Sequence, residues 1–356
     1  MACQPWSAAV TLVGTSGWGR VVQTVCGLLR HGVGALSDGD GAREAALLLR
    51  HVLKASEAWL IAHANDPVGD DGAAAYKALI ERRARGEPVA YLTGTRGFHA
   101  LELHVAPDVL VPRPETELLV DLALARIPAR GPDGAAPRRN PGQCAKAPPE
   151  VSATSMSPAR RAGSAVPVCN PVNAVAAPLP GGYGIADLGT GSGAVALAIA
   201  RARPDTRVLA TDASDGALAI ARGNARRLNL TNVEFRQGDW CAALGDASFD
   251  LIVSNPPYIA GSDPHLREGD LRFEPHAALA SGADGLDAIR VIVRDGRAHL
   301  RGGGWLLFEH GFEQGPAVRE LLAAHGYAEI FTERDLEGRE RVSGGRAVPP
   351  SLREEG

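Results

Sequence analysis

At residues 185–202 a strand-like run, a glycine-rich loop and a helix-like run follow one another directly, and no other feature of the chain restricts its fold as much. Ile185-Ala186-Asp187-Leu188 is nearly all apolar, Gly189-Thr190-Gly191-Ser192-Gly193 supplies a turn, and Ala194 to Ala202 has the composition of a buried helix. Glycines at such a turn allow dihedrals closed to other residues and let a ligand approach the main-chain N–H groups. The alternation continues downstream. Arg207 to Ala210, Val233 to Gln237, Phe249 to Ser254 and Trp305 to Glu309 read as further strands, and Gly216 to Leu228 as a helix. Ile330-Phe331 and Arg341-Val342 suggest two more strands. Strands alternating with helices predict an α/β domain with a Rossmann-like, mostly parallel sheet of seven strands and helices on both faces.

The loop alone leaves its ligand open. Gly189-Thr-Gly191-Ser-Gly193-Ala194 also fits the G-x-G-x-x-A dinucleotide fingerprint. The second strand ends at Asp212, whose carboxylate can accept both hydroxyls of an adenosine ribose. NAD and S-adenosyl-L-methionine share that ribose, and a ligand-free glycine turn is the plainer alternative.

The fourth strand separates these readings. Phe249 to Ser254 has a buried-strand pattern, and Asn255-Pro256-Pro257-Tyr258 ends it. Ligands of open α/β sheets bind beyond the carboxyl ends of the strands, so this tetrapeptide is delivered to the ligand cleft. An amide nitrogen is a poor nucleophile because its lone pair is delocalised. Acceptors aimed at its hydrogens stabilise the positive charge that develops when it takes a methyl group. The Asn255 side-chain oxygen and the Pro256 carbonyl are the candidate acceptors, and two successive prolines hold the chain stiff. Tyr258 can stack on a flat substrate group. Positioning and electrostatics then suffice without a general base. In isolation Asn-Pro and Pro-Pro are turn formers, and it is the placement after a fourth strand that turns the motif toward methyl transfer from S-adenosyl-L-methionine.

Upstream, Val21 to about Glu87 is helical in pattern. Ala45, Leu48, Leu49, Val52 and Leu53 recur at helix spacing, Trp59-Leu60-Ile61 follows, and Tyr76, Leu79 and Ile80 share a face of a helix over 72–85. These stripes read as the core of a small bundle. From Val89 to Val111 the period changes, with Leu101, Leu103 and Val105 alternating with polar residues, and a hairpin is expected within 98–111. Pro112-Arg113-Pro114-Glu115-Thr116-Glu117 then opens a helix over Leu118 to Ile127, with proline and acidic residues where a helix start favours them.

Residues 128–182 differ in kind, holding 11 of the 25 prolines and no aromatic residue. Such a segment cannot bury enough apolar surface to offset ordering, and it is read as a disordered insertion. A basic arm touching RNA is the alternative, since six Arg and Lys stand against Asp133 and Glu150. The chain then divides into a loose leader (1–19), a helical domain (20–90) and an α/β domain (91–350) interrupted by the insertion.

The formal net charge of −4 argues against bulk coating of nucleic acid. The five cysteines, Cys3, Cys26, Cys144, Cys169 and Cys241, form no C-x-x-C pair, which favours isolated thiols in a reducing compartment over a disulfide framework or a metal site. No signal peptide and no apolar run of membrane-spanning length is read, so a cytoplasmic location is expected.

Several stretches together resemble the HemK/PrmC family of protein-(glutamine-N5) methyltransferases. They are Pro88-Val-Ala-Tyr-Leu-Thr-Gly94, Val109-Leu-Val-Pro-Arg-Pro-Glu-Thr-Glu117, the loop from Asp187, Asp212-Ala-Ser214 and Gly238-Asp239-Trp240. Phe249 to Tyr258, Glu274-Pro275, Gly282 to Leu286 and Gly302 to Glu309 complete the resemblance, which covers roughly 40–127 and 183–345. It implies a helical N-terminal domain that helps grip a peptide-chain release factor, a seven-stranded S-adenosylmethionine-dependent domain, and the glutamine of a Gly-Gly-Gln loop as substrate. By position it puts Asp187, Gly189, Thr190, Gly191, Ser192, Gly193, Asp239 and Asn255 along the cofactor, Asp212 at the ribose, and Trp240 beside the adenine. Asn255, Pro256, Pro257 and Tyr258 would hold the glutamine amide. An ordinary core aromatic is the lesser alternative for Trp240. Nothing in the sequence joins the protein to a second copy, a membrane or a nucleic acid, and a monomer is expected. The chain departs from the family at Gly97-Phe98-His99-Ala100, in the length of the insertion, and at His310, read as packed or solvated without a catalytic role. Alternative substrates are a ribosomal-protein glutamine and the exocyclic amine of adenine or guanine, which would require base capture.

Overall fold

The computed structural model describes residues 23–36, 39–128 and 182–348; the leader and nearly all of the insertion lie outside them. The chain separates into two units, Met1–Thr93 and Gly94–Gly356.

The first unit is built on helices α1 (Val25–Ala35), α2 (Gly41–Leu53), α3 (Glu57–Ala62), α4 (Asp70–Ala84) and α5 (Val89–Thr93), with a short antiparallel pairing of β1 (Gln23–Thr24) and β2 (Pro67–Val68). Thr24 and Ser56 accept hydrogen bonds from Gly27 N and Trp59 N, satisfying N–H groups that the first turns of α1 and α3 leave free. Val25, Leu28, Ala45, Leu48, Leu49, Tyr76 and Ile80 lie in the core, the last five from the predicted stripes, while Val52, Leu53 and Leu79 are partly buried against it. Arg83 clamps Glu44 through Nε and Nη2 (2.7 and 3.0 Å), fixing α4 against α2 with a paired, planar contact. Of Trp59-Leu60-Ile61 only Leu60 enters the core, while Ile61 is 67% exposed. Val89–Thr93 is a helix, contrary to the change of period read there. Leu92 is buried in the helical core and Val89 packs on it, so this stretch belongs to the first unit.

The second unit begins with a hairpin, β3 (Thr95–Phe98) and β4 (Leu101–His104), closed by His99-Ala100. Both turn residues have positive φ, 45° and 60°. A two-residue hairpin turn with φ > 0 at both positions is best served by Asn-Gly, and an alanine there costs about 1–2 kcal/mol relative to an unstrained conformation. His99 is retained by hydrogen bonds from its N–H to Glu117 Oε1 and between its Nε2 and Asp121 Oδ1, both 3.0 Å. Ala100→Gly is therefore expected to raise stability by about 0.5–1 kcal/mol, visible as a higher denaturant midpoint. An unchanged or lower midpoint would show that the turn carries no such strain.

After the hairpin come a 3-10 turn at Pro114–Thr116 and α6 (Glu117–Arg126). Beyond the insertion the order is β5 (Tyr183–Leu188), α7 (Ala194–Ala202), β6 (Thr206–Asp212), α8 (Asp215–Arg227), β7 (Val233–Gln237) and β8 (Phe249–Ser254). Then follow α9 (Asp287–Gly296), β9 (Leu300–Glu309), α10 (Gly315–Ala324), β10 (Tyr327–Arg334) and β11 (Glu340–Ala347). The strands form one seven-stranded sheet in the order β10-β11-β9-β8-β5-β6-β7. Only β11 runs against its neighbours. The predicted α/β class and strand number are thus found.

Alternate residues of each central strand serve opposite layers. Ile185, Val208, Ala210, Leu251, Val253 and Leu307 face Leu119, Val120 and Ala123 of α6 and Leu197 and Ile199 of α7. Ala186, Leu188, Leu209, Ile252, Leu306 and Phe308 pack on Ile289, Ile292 and Val293 of α9 and Val318 and Leu322 of α10. Burial on both faces explains why β5 and β8 read as continuous apolar runs rather than alternating ones. Among the described residues no helix is long and apolar enough to cross a membrane.

Candidate active site

The strand order turns back at β5, which pairs with β6 on one side and β8 on the other. Crevices in open α/β sheets form at such a switch, beyond the carboxyl ends of the strands. A cleft of about 310 Å³ lies there. Of the residues expected to bind, Asp187, Gly189, Thr190, Gly191, Ser192, Asp212, Asp239, Trp240, Asn255 and Pro257 line it.

Gly193, Pro256 and Tyr258 do not line the cleft. Gly193, at φ 87°, precedes α7, and a Cβ there would stand 2.9 Å from Leu197 Cδ1, so the residue lets the helix start close against its own side chains. Pro256 is buried. Tyr258 packs against the apolar layer that contains Phe308, and its hydroxyl donates to Glu309 Oε1 at 3.0 Å.

Gly189 has φ 70°, and a Cβ on it would meet the Trp240 ring at 3.2 Å. Glycine is required twice at that point, by the backbone and by the neighbouring indole. Asp212 organises the loop from β6: Oδ2 accepts from Gly191 N at 2.8 Å and Oδ1 from Ser214 N at 2.9 Å. A carboxylate has lone pairs beyond those two, so Asp212 can still accept from a ligand hydroxyl. The loop is also tied to α8 and the hairpin. Asn224, fully buried, donates to Ser192 O and His104 O (both 2.9 Å) and accepts from His104 N at 2.7 Å.

Asp187 is 1% exposed, and its Oδ2 accepts from Thr190 Oγ1 (2.6 Å) and Ala196 N (3.1 Å). Burial raises its carboxyl to about 6, helped by the neighbouring Asp212 charge and opposed by those two hydrogen bonds. Since the folded value lies above the unfolded value near 3.8, the group's contribution to stability is complete below 3.8 and is lost as pH rises through about 6. Asp187→Asn keeps an oxygen for Thr190 and Ala196 and removes the buried charge. The ligand-free variant is expected to melt a few degrees higher near neutral pH, with the gain shrinking toward about pH 4, while cofactor binding weakens. Thermal melts across pH test this, and a lower melting temperature at neutral pH would refute it.

Asn255 Nδ2 donates to Thr116 Oγ1 at 3.0 Å, and Thr116 Oγ1 donates to Glu309 Oε2 at 2.7 Å. Asn255 Oδ1 is shut off from solvent and has no partner among the described residues. Thr116 and Glu309 did not emerge from motif reasoning as site residues, although both lie in quoted stretches. Asp108, Val109, Leu110, Pro112, Pro275, Ala277 and Ala278 complete much of the cleft wall. The segment containing Pro112 is clasped to that containing Pro275: Glu274, its side chain fully buried, pairs with Arg113 and accepts from Val111 N at 3.0 Å. His310 is buried, hydrogen-bonding Ser343 Oγ at 2.8 Å, which agrees with a packed histidine.

A nucleoside-sized cleft at the switch point, with Asn255-Pro256-Pro257-Tyr258 ending the adjoining strand, defines a Rossmann-like methyltransferase of the kind that uses S-adenosyl-L-methionine. Residues 27–94 match the PrmC N-terminal domain and residues 176–270 the methyltransferase small domain. The release factor glutamine methyltransferase of Xylella fastidiosa is 46% identical over 303 residues, 85% of this chain and 92% of the relative. That of Aliivibrio fischeri is 39% identical over 306 residues (86% and 90%), and that of Escherichia coli 37% over 319 (89% and 97%). The chain belongs to the release factor glutamine methyltransferase family. The residues present fit the cofactor. A Cβ at Gly189 would fill the space beside the Trp240 ring on the cleft wall, and Asp212 keeps acceptor capacity for a ligand hydroxyl.

Proposed function

We propose that this chain methylates the side-chain amide nitrogen (N5) of the glutamine in the Gly-Gly-Gln loop of a peptide-chain release factor. The observation that carries the reading is the Asn255 side chain, which lines the cleft and holds a buried oxygen, Oδ1, without a partner among the described residues. A buried carbonyl left unpaired costs about 1–3 kcal/mol, which a glutamine NH₂ would relieve on binding.

Asp187 and the loop from Gly189 to Gly193 would hold the amino-acid portion of the cofactor, Asp212 its ribose, and Asp239 and Trp240 its adenine end. When bound, the sulfonium supplies a methyl group whose C–S bond breaks with its electron pair left on sulfur. Asn255 Oδ1 accepts from one of the two amide hydrogens and so stabilises the charge that the nitrogen acquires as the C–N bond forms. One of those hydrogens then leaves as a proton to solvent. Tyr258 stands behind the cleft lining. Burial pushes its phenol well above the usual range, so it stays neutral and donates to Glu309 rather than acting as a base.

The net charge of −4 supports a protein substrate over nucleic acid, and the five unpaired-motif cysteines support the cytoplasm. The test is incubation with methyl-labelled S-adenosyl-L-methionine and a release factor, followed by mass mapping. Label on the Gly-Gly-Gln glutamine is expected. Label confined to a ribosomal protein or to nucleic acid would replace this reading.

A further inference from the structure

Asn255 can present either its oxygen or its nitrogen to a substrate, and only the oxygen stabilises a methylated amide. What sets that choice lies one residue away. Glu309, at the end of β9, is 1% exposed and has both oxygens occupied. Oε2 accepts from Thr116 Oγ1 at 2.7 Å, and Oε1 accepts from Tyr258 OH at 3.0 Å. A hydroxyl has a single hydrogen to give. Thr116 gives its hydrogen to a carboxylate, which can only accept. Toward Asn255, Thr116 can therefore only accept, and it does so from Nδ2 at 3.0 Å. That fixes the amide plane and turns Oδ1 away from Thr116, where it is left without a partner.

We propose that Glu309 and Thr116 are positioning residues that set the sense of a hydrogen-bond relay, so that Asn255 offers an acceptor and never a donor to the substrate amide. This rests on the acceptor role given to Asn255 above. Donation in the relay has a definite direction, amide to hydroxyl to carboxylate, and reversing the link to the carboxylate reverses the next. Glu309→Gln is nearly isosteric, but it must turn an NH₂ toward either Thr116 or Tyr258. Facing Thr116, it frees the hydroxyl hydrogen for Asn255 and favours the flipped amide. Facing Tyr258, it forces the phenol to accept. A protonated Glu309 has the same effect. Burial raises its carboxyl, and Glu115 adds to this, while Thr116, Tyr258 and the Arg341 guanidinium oppose it.

The test compares Thr116→Val, Thr116→Ser, Glu309→Gln and Asn255→Ala in the full chain, with release factor as substrate. Readouts are kcat, KM for release factor, cofactor Kd by calorimetry, melting temperature, and the side-chain NH₂ resonance of Asn255. Thr116→Val and Glu309→Gln are expected to lower kcat about 10- to 100-fold, the worth of one or two hydrogen bonds. Cofactor Kd should stay within about threefold, because neither residue bonds the glycine loop or Asp212, while melting should fall by a few degrees, since each change disturbs buried hydrogen bonds. Thr116→Ser should recover most of the kcat loss, and the Asn255 NH₂ signal should lose exchange protection in Thr116→Val alone of the two Thr116 variants. Wild-type kcat should fall as pH drops through the raised Glu309 value, and Glu309→Gln should lose that acidic limb. If both relay variants keep kcat within twofold while Asn255→Ala abolishes turnover, the relay is wrong and the acceptor role of Asn255 stands. Equal losses in Thr116→Ser and Thr116→Val also overturn the relay. Near-normal turnover in Asn255→Ala overturns both ideas.

Discussion

Replacing Asn255 with alanine is expected to lower kcat by about 10²–10³, the usual cost of removing one preorganised charge-stabilising group. Cofactor binding should be nearly unaffected. The argument is one of differential binding. A resting glutamine amide gains only an ordinary hydrogen bond from Asn255 Oδ1, while an amide becoming cationic gains a much stronger one, so the loss falls on the transition state. Truncation also strands Thr116 Oγ1, whose acceptor site is filled by Asn255 Nδ2. Steady-state kinetics with release factor, with cofactor Kd measured alongside, would check this. A rise in KM without loss of kcat would mean that Asn255 holds substrate and stabilises nothing further.

Asp212→Ala should act on the other half of the site. It removes an acceptor for ligand hydroxyls and also the two bonds that order the loop, from Gly191 N and Ser214 N. Losing hydrogen bonds to a charged group costs about 1.5–3 kcal/mol each, so cofactor Kd should weaken by about 10²-fold or more. Turnover at saturating cofactor should largely survive, because this binding is made equally in ground and transition states. Calorimetric titration with S-adenosyl-L-methionine decides it, and a Kd within about threefold of wild type would remove Asp212 from the site.

Much of the second unit was legible from residue order alone. Leu251, Ile252 and Val253 are each fully buried, and such a run has no other stable place than the middle of a covered sheet. Trp305 to Glu309 was read correctly but begins five residues early in the structure, at Leu300, because Gly302, Gly303 and Gly304 conceal a strand that continues through them. The helix Val89–Thr93 is shorter than two turns and offers no periodicity to detect, so its helical state is decided by Leu92 reaching the core. The site divides in the same way. Glycines, Asp212 and Asn255 announce themselves by local pattern. Thr116 and Glu309 lie 193 positions apart, and only the pairing of β9 beside β8 brings them to the same amide. No local signal encodes a partner that the sheet order supplies.

The junction between α6 and β5 has a consequence for how this protein can vary. Residues 129–181 leave and rejoin the second unit there, yet the two ends are fastened. Arg203 donates to the carbonyls of Ile127 (3.2 Å) and Pro128 (2.9 Å), and Tyr183 OH donates to that of Arg126 (3.2 Å). The entropy of closing a loop grows only with the logarithm of its length, so a tenfold longer connection costs about 2 kcal/mol. Three bonds of about 1 kcal/mol each can offset that. The junction is thus a place where chain length and chain geometry are decoupled. A connection of another length, or a chain opened there by circular permutation, is expected to leave the central strand and the cleft it carries in register.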